Sequence, residues 1–239
     1  MKLRMKNWKM SLIKTFFMYS ESNPSKEYKK HLQHYKDMHK KGLLFKSGKI
    51  LTPENTYCGL FTSTYAKIVK NMISKNGYQS LLEYGSGKGT FYRKKFNIDS
   101  ENFKTLKEYW DVKIELYDPA VKEHSVFPNP NNKIDITICI DVLEHIPEQD
   151  IDWILRRIFK KTKKFIFIVI GSYSAQALLP NGENAHILIK EPKWWFEKLL
   201  EFKKKFIGIK IICLCITKDK NEKAVYNPIN IDDDFKKYL

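Results

Sequence analysis

Four places in this 239-residue chain bring together side chains that could do chemistry. The first is Ser80-Leu81-Leu82-Glu83-Tyr84-Gly85-Ser86-Gly87-Lys88-Gly89, where an apolar run ends in a carboxylate and three glycines alternate. Glycine allows positive φ and lets backbone come close to a ligand. Glu83 can accept hydrogen bonds from an amine or a ribose hydroxyl. The second is Asp118, which closes Lys113-Ile114-Glu115-Leu116-Tyr117-Asp118. The third is Asp141, at the end of the β-branched run from Asp135, with Val142-Leu143-Glu144-His145-Ile146-Pro147 after it. The fourth is Leu179-Pro180-Asn181-Gly182-Glu183-Asn184-Ala185-His186, a loop that ends in an imidazole able to take a proton. Trp194-Trp195 follow, and adjacency predicts that one packs inward while the other faces a pocket or solvent.

The glycine spacing separates cofactor classes. A dinucleotide fingerprint is G-x-G-x-x-G. Here the sixth place is Thr90, and the third glycine arrives one residue early, at Gly89. A phosphate-cradling P-loop needs Gly-Lys-Ser/Thr after four intervening residues, which Gly87-Lys88-Gly89 does not supply. The three acids each end an apolar run, so each is expected at the carboxyl end of a strand, where open α/β sheets bind ligands. An acid after the second strand typically bonds ribose hydroxyls about 20 residues past the glycines. Asp118 comes about 30 residues past them, so residues 91–110 should hold a helix with a lid or insertion.

The elements around these points alternate. Phe165–Ile170 reads as a buried strand, Pro192–Lys205 as a helix with Phe196, Leu199 and Leu200 at helical spacing, residues 207–217 as a strand, and residues 223–226 as a short last strand. Strands alternating with helices predict a Rossmann-like, doubly wound, mostly parallel sheet. A strand between Asp118 and Asp135 is either very short, near residues 125–127, or missing.

Acidic-x-G-x-G-x-G at Glu83–Gly89 resembles motif I of the class I S-adenosylmethionine (SAM) dependent methyltransferases. Asp135-x-x-x-x-x-Asp141-Val-Leu-Glu-His-Ile-Pro147 resembles a signature of many members that act on small molecules. The likeness spans roughly residues 57–217. It implies that Glu83, Gly85, Ser86, Gly87, Gly89, Asp118 and Asp141 bind SAM, with S-adenosylhomocysteine as product. It also implies an antiparallel last strand hairpinned onto the sixth, and a loop after the fourth strand beside the sulfonium. Asp141 then faces cofactor or substrate, and Glu144 and His145 start a helix or line the pocket. His186, in the loop after the fifth strand, is the leading base, with His145 and Asp141 as further catalytic candidates. In similar enzymes the region of Tyr57-Cys58-Gly59 closes over the cofactor.

Composition sets the outer limits. The length suits one methyltransferase domain over residues 51–239 behind a basic, partly helical extension at residues 1–50. No apolar run reaches membrane-spanning length, and residues 12–18 are too short and interrupted by Lys14 for a signal peptide. Cys58, Cys139, Cys213 and Cys215 show no zinc spacing, so free thiols in a reducing cytoplasm and no metal are expected.

The net charge is +16, and residues 1–50 hold thirteen basic residues against three acids. That segment, with its interleaved aromatics, predicts weak, salt-sensitive attraction to nucleic acid. Only four of the 43 basic residues are arginine, the residue suited to bidentate recognition, which argues against specific readout. Residues 156–164 and 203–205 read as solvated helix faces. The chain also lacks a Pro-Cys pair and an Asn/Asp-Pro-Pro-aromatic run after the fourth strand, which disfavours two kinds of DNA-base methylation. Transfer to a hydroxyl or amine of a sugar or other metabolite is the leading expectation. An RNA-directed enzyme docking through residues 1–50, and a non-catalytic binding module, are the alternatives.

Overall fold

The computed structural model describes residues 19–239. The sequence features before Tyr19, including Trp8, five of the basic residues and the apolar run 12–18, lie outside the described residues.

Helix α1 (Lys26–Lys41) begins where the Ser25 hydroxyl accepts the Tyr28 N–H at 2.9 Å, and it ends at Gly42, whose φ of 96° turns the chain away. A Cβ on Gly42 would strike the Leu51 carbonyl oxygen. A small hairpin follows, β1 (Leu43–Phe45) and β2 (Ile50–Leu51). Helices α2 (Leu60–Thr64) and α3 (Ala66–Asn76) lead to β3 (Ser80–Tyr84). The stretch expected to carry an insertion holds a hairpin of β4 (Phe96–Asn97) and β5 (Phe103–Lys104) and then α4 (Leu106–Trp110), started by a Thr105–Glu108 capping box. The remaining elements are β6 (Lys113–Tyr117), β7 (Ile134–Ile140), α5 (Ile151–Lys161), β8 (Thr162–Gly171), β9 (Ala177–Leu178), α6 (Pro192–Lys205), β10 (Lys210–Lys218) and β11 (Ala224–Asn230).

Six strands form the main sheet in the order β11-β10-β8-β7-β3-β6. Every neighbouring pair is parallel except β10–β11, which is antiparallel with Cys213 opposite Ile229. The fold is therefore mixed α/β with a six-stranded, mostly parallel sheet, an arrangement compatible with a Rossmann-like fold. β11 is longer than residues 223–226 because its pairing with β10 continues to Asn230. Between β6 and β7 the described chain forms a 3₁₀ turn, Lys122–His124, and no strand, so the sheet ends at β6.

Both faces of the sheet are covered, which is why β7 buries all seven of its residues. One face packs on Ile154, Leu155 and Ile158 of α5, Trp195 and Leu199 of α6 and Tyr28 of α1. The other packs on Val69 and Met72 of α3, Trp110 of α4 and Phe235 near the C-terminus. Each such aliphatic or aromatic side chain contributes about 1.5–3 kcal/mol by leaving water. Of the tryptophan pair, Trp195 is the buried one, and Trp194 lies half-buried between Lys190 and Lys198.

The basic run 156–164 is a solvated face only in part, since Lys160, Lys163 and Lys164 are exposed while Lys161 and Arg157 turn inward. Lys161 is fully buried, and its ammonium donates to the Asn129 and Asn132 carbonyls at 2.9 and 2.7 Å beside Glu115 at 2.9 Å. The Arg157 guanidinium lies 3.8 Å from the Phe127 ring centroid. These two cations pin the irregular loop that stands where a further strand could have paired. Among the described residues no helix is long and apolar enough to cross a membrane.

Candidate functional site

From β3 the chain goes to β6 on one side of β3 and then returns to β7 on the other. That reversal opens a crevice at the carboxyl ends of β3 and β7. The glycine turn leaves β3 at this point. Gly85, Gly87 and Gly89 all have positive φ, at 83°, 54° and 56°. A Cβ on Gly85 would collide with the Val142 side chain, and one on Gly87 with the Tyr57 carbonyl.

The turn spends its own donors. The Gly85 and Ser86 N–H groups bond the Tyr117 carbonyl at 2.7 and 3.1 Å. The Gly87 N–H bonds Asp118 Oδ2 at 2.8 Å, Lys88 N–H bonds the Tyr57 carbonyl at 2.9 Å, and Gly89 N–H bonds the Ser86 carbonyl at 3.1 Å. A phosphate cradle needs several free amides converging on one point, usually at a helix N-terminus. Here all five are bonded inside the protein, and only a three-residue 3₁₀ turn, Thr90–Tyr92, follows.

Asp118 also accepts the Ala120 N–H at 2.8 Å, and burial raises its pKa above the usual carboxylate range. Glu83 sits behind the turn rather than in the crevice. It is 1% exposed, its carboxylate accepts the Thr62 hydroxyl, and burial pushes its pKa up to about 7. Asp141 is a non-glycine residue at φ 59°, a conformation that Asp tolerates better than most and that often marks functional sites. Its N–H is anchored on the Val169 carbonyl at 3.0 Å. Burial raises its pKa, and raises that of neighbouring Glu144 further.

Glu144 and His145 belong to a 3₁₀ turn, Leu143–His145, and α5 begins only at Ile151. Glu144 is completely buried and works as a brace. Its side chain accepts the Gly171 N–H, and its carbonyl accepts the Ile187 and Leu188 N–H groups at 3.0 and 2.9 Å. The loop that carries His186 is thereby fastened to the turn that carries His145. The two imidazoles meet edge to face with centroids 4.8 Å apart, and His186 Nε2 lies 3.9 Å from Asp141 Oδ1. Burial lowers the pKa of both histidines, that of His145 to about 4, so both rings are neutral at pH 7.

Two cavities meet here. The first, of about 110 Å³, is lined by Gly85, Gly87, Asp118, Pro119, Val142 and Ile146 from the sheet side. Its roof is α1, through Tyr28, His31, Leu32, Tyr35 and His39. The second, of about 410 Å³, is lined by Ser86, Tyr173, His186 and a set of apolar residues that includes Leu43, Phe45, Leu60 and Phe61. Tyr57, Gly85, Gly87, Asp141 and His145 border both. Glu83 and Gly89 border neither.

The cover is made by chain segments distant in sequence. β1 pairs antiparallel with β9, with Leu44 opposite Leu178, so the early hairpin and the loop after β8 form one three-stranded sheet. The Tyr35 hydroxyl lies 2.7 Å from His145 Nδ1 and donates to the Ala185 carbonyl at 3.3 Å. The lysines Lys26, Lys29, Lys30, Lys40 and Lys41 of α1 face outward, while its aromatic residues face the cavity. Sequence reasoning missed Tyr35 as a site residue and Glu144 as a brace. The signal available for Tyr35 was its place among Tyr28, His31 and His39 at helical spacing.

No family model, curated protein or solved structure matches this chain.

Proposed function

We propose that this protein is a SAM-dependent methyltransferase that methylates a hydroxyl or amine of a small molecule. The observation that carries this reading is the turn at Gly85–Gly89. It approaches a cavity closely, yet it has no free amide for a phosphate. A dinucleotide would want those amides, whereas an adenosine-type ligand with a cationic centre wants carboxylates and a flat apolar slot. Asp118 and Asp141 supply the carboxylates, and Leu32, Pro119, Val142 and Ile146 supply apolar walls.

SAM supplies a methyl group already activated by its sulfonium, so most of the protein's task is positioning. Asp118 suits ribose hydroxyls, because each of its oxygens keeps capacity for a further hydrogen bond. Asp141, His145 and His186 meet an acceptor in the second cavity, whose wall is largely apolar. The limited size of that cavity, about 410 Å³, and the cover that β1 and β9 place beside it favour a compact acceptor over a polymer.

Thermal unfolding with SAM and with S-adenosylhomocysteine tests the proposal. Ligand bound to the native state at 100 times its Kd stabilises by about 2.7 kcal/mol. An upward shift with both compounds is expected, and none with NAD. The absence of any shift at millimolar SAM would sink it.

A further inference from the structure

We infer that Asp141, His145 and His186 form a binding site for a divalent transition-metal cation of the zinc type. Each offers one ligand atom, and the three atoms lie within 4.8 Å of one another. A metal is not expected from the sequence, whose cysteines lack ligand spacing and whose two histidines lie far apart in the chain.

The orientation of the rings is the first support. His145 Nδ1 lies 2.8 Å from the Ala185 carbonyl, and His186 Nδ1 lies 2.7 Å from the Tyr173 carbonyl. The two carbonyls can only accept, and the Tyr35 hydroxyl 2.7 Å from His145 Nδ1 donates to the Ala185 carbonyl and so accepts at Nδ1; both Nδ1 atoms then carry the proton, as the hydrogen-bond partners assign it. Both Nε2 atoms are then left with a lone pair. Metal-binding histidines use this arrangement, with one ring nitrogen tied to a carbonyl and the other on the metal.

The second support is what those lone pairs face. His145 Nε2 is buried and has no hydrogen-bond partner among the described residues. His186 Nε2 stands 3.9 Å from Asp141 Oδ1, beyond hydrogen-bond reach. Three Lewis bases thus converge, Asp141 also sharing a side-chain hydrogen bond with Glu144, and a cation satisfies all three together. Ligand atoms around tetrahedral zinc are about 3.3 Å apart, given bonds of about 2.0–2.1 Å. Side-chain movements of about 1 Å therefore close the site.

The surroundings hold the ligands ready. Glu144 fastens the His186 loop to the His145 turn through its carbonyl bonds to Ile187 and Leu188. Gly171 leaves room for the ring, since a Cβ there would stand 2.7 Å from His186 Cε1. Two imidazole nitrogens and one carboxylate suit Zn²⁺, Co²⁺ or Fe²⁺ better than Mg²⁺ or Ca²⁺, which prefer oxygen donors. Three protein ligands leave a position open, as in catalytic zinc sites. Asp141 and His145 border both cavities, so that position is open to an acceptor oxygen. The cation site stands without the methyl-transfer reading, and only its use as an acceptor anchor rests on that reading.

The test is titration of chelator-treated, tag-free full-length protein with Zn²⁺ by calorimetry, and with Co²⁺ followed by visible absorption. One equivalent should bind with a Kd of 10 µM or tighter, and Co²⁺ should develop bands of nitrogen-ligated metal. His186→Ala and Asp141→Asn should each weaken Zn²⁺ at least tenfold. In case a variant fails to fold, imidazole ¹⁵N spectra of the unaltered protein provide an independent readout. Zn²⁺ should shift Nε2 of His145 and His186. No uptake at 0.1 mM metal, uptake undiminished in folded variants, or unmoved Nε2 resonances would each overturn the inference. A SAM-induced thermal shift in metal-free protein would leave the methyltransferase reading standing even then.

Discussion

The sheet side of the site and its cover are built from different materials. On the sheet side, β7 buries every residue, and the acids and glycines stand at the ends of strands locked by parallel pairing. In the cover, strands are two or three residues long, and α1 is amphipathic, with lysines outside and aromatics inside. The sheet side fixes positions by apolar burial and a continuous ladder. The cover relies on a few hydrogen bonds, such as Ser25 N–H to Asp150 at 3.1 Å and the Tyr35 contact with His145. A site of this kind can keep one wall rigid and let the other yield to admit a ligand.

The largest test of that contrast concerns Glu83. Its folded pKa of about 7 exceeds the usual 4.5 because burial disfavours the charged form. The folded state therefore holds the proton more tightly than the unfolded one, and stability falls as pH rises from about 4.5 to 7. The loss approaches about 3 kcal/mol, at 1.36 kcal/mol per pKa unit. Glu83→Gln should remove that dependence and melt several degrees higher at pH 8. Equal melting temperatures for both proteins at pH 5 and 8 would refute the buried position of the carboxylate.

Next in size is Gly87→Val. The new side chain must meet the Tyr57 carbonyl, so the turn moves and the SAM-induced stabilisation of about 2.7 kcal/mol at 100 times Kd should vanish. Asp118→Ala should do the same while leaving the fold intact by circular dichroism. Wild-type SAM affinity in either variant would show that the ligand sits elsewhere.

The cover should respond more weakly. Tyr35→Phe removes the hydroxyl that links α1 to His145, and denaturant unfolding should show a loss of about 0.5–1.5 kcal/mol. Hydrogen exchange should quicken in α1 and not in β7. Equal quickening in both would erase the proposed difference in rigidity. The smallest effect is expected of Lys29→Glu with Lys41→Glu, on the outer face of α1. Stability should change by less than about 0.5 kcal/mol and the SAM shift not at all, while retention on a polyanion column at low salt should drop.

The two sides also differ in how much of them the sequence disclosed. Asp118 and Asp141 each follow their strand directly, so a local apolar run and the acid after it were enough to place them. The Gly85–Gly89 turn was readable for the same reason, since positive φ at alternate positions demands glycine. The cover gave no such signal. Tyr35 and Ala185 stand 150 positions apart, and the pairing of β1 with β9 joins strands too short to show a period. Lys161 and Arg157 misled for a related reason, because a helix face that looks solvated in sequence is buried once the loop 125–133 folds over it. Glu83 was correctly seen at a strand end, but its alternation toward Thr62 rather than the crevice depended on the packing of α2.

The pairing of β1 with β9 also has a meaning in time. A ribosome releases residues 43–45 long before residues 177–178, and until the latter emerge β1 has only β2 beside it. Contacts that close so long a loop form late, because the chain entropy is spent before the contact returns anything. During synthesis the central strands can already assemble while the roof of the site still hangs open beside an unpaired edge. The cover is thus completed only once residues 177–178 have emerged, and a chain stalled before Leu178 would carry its glycine turn without an enclosure around it.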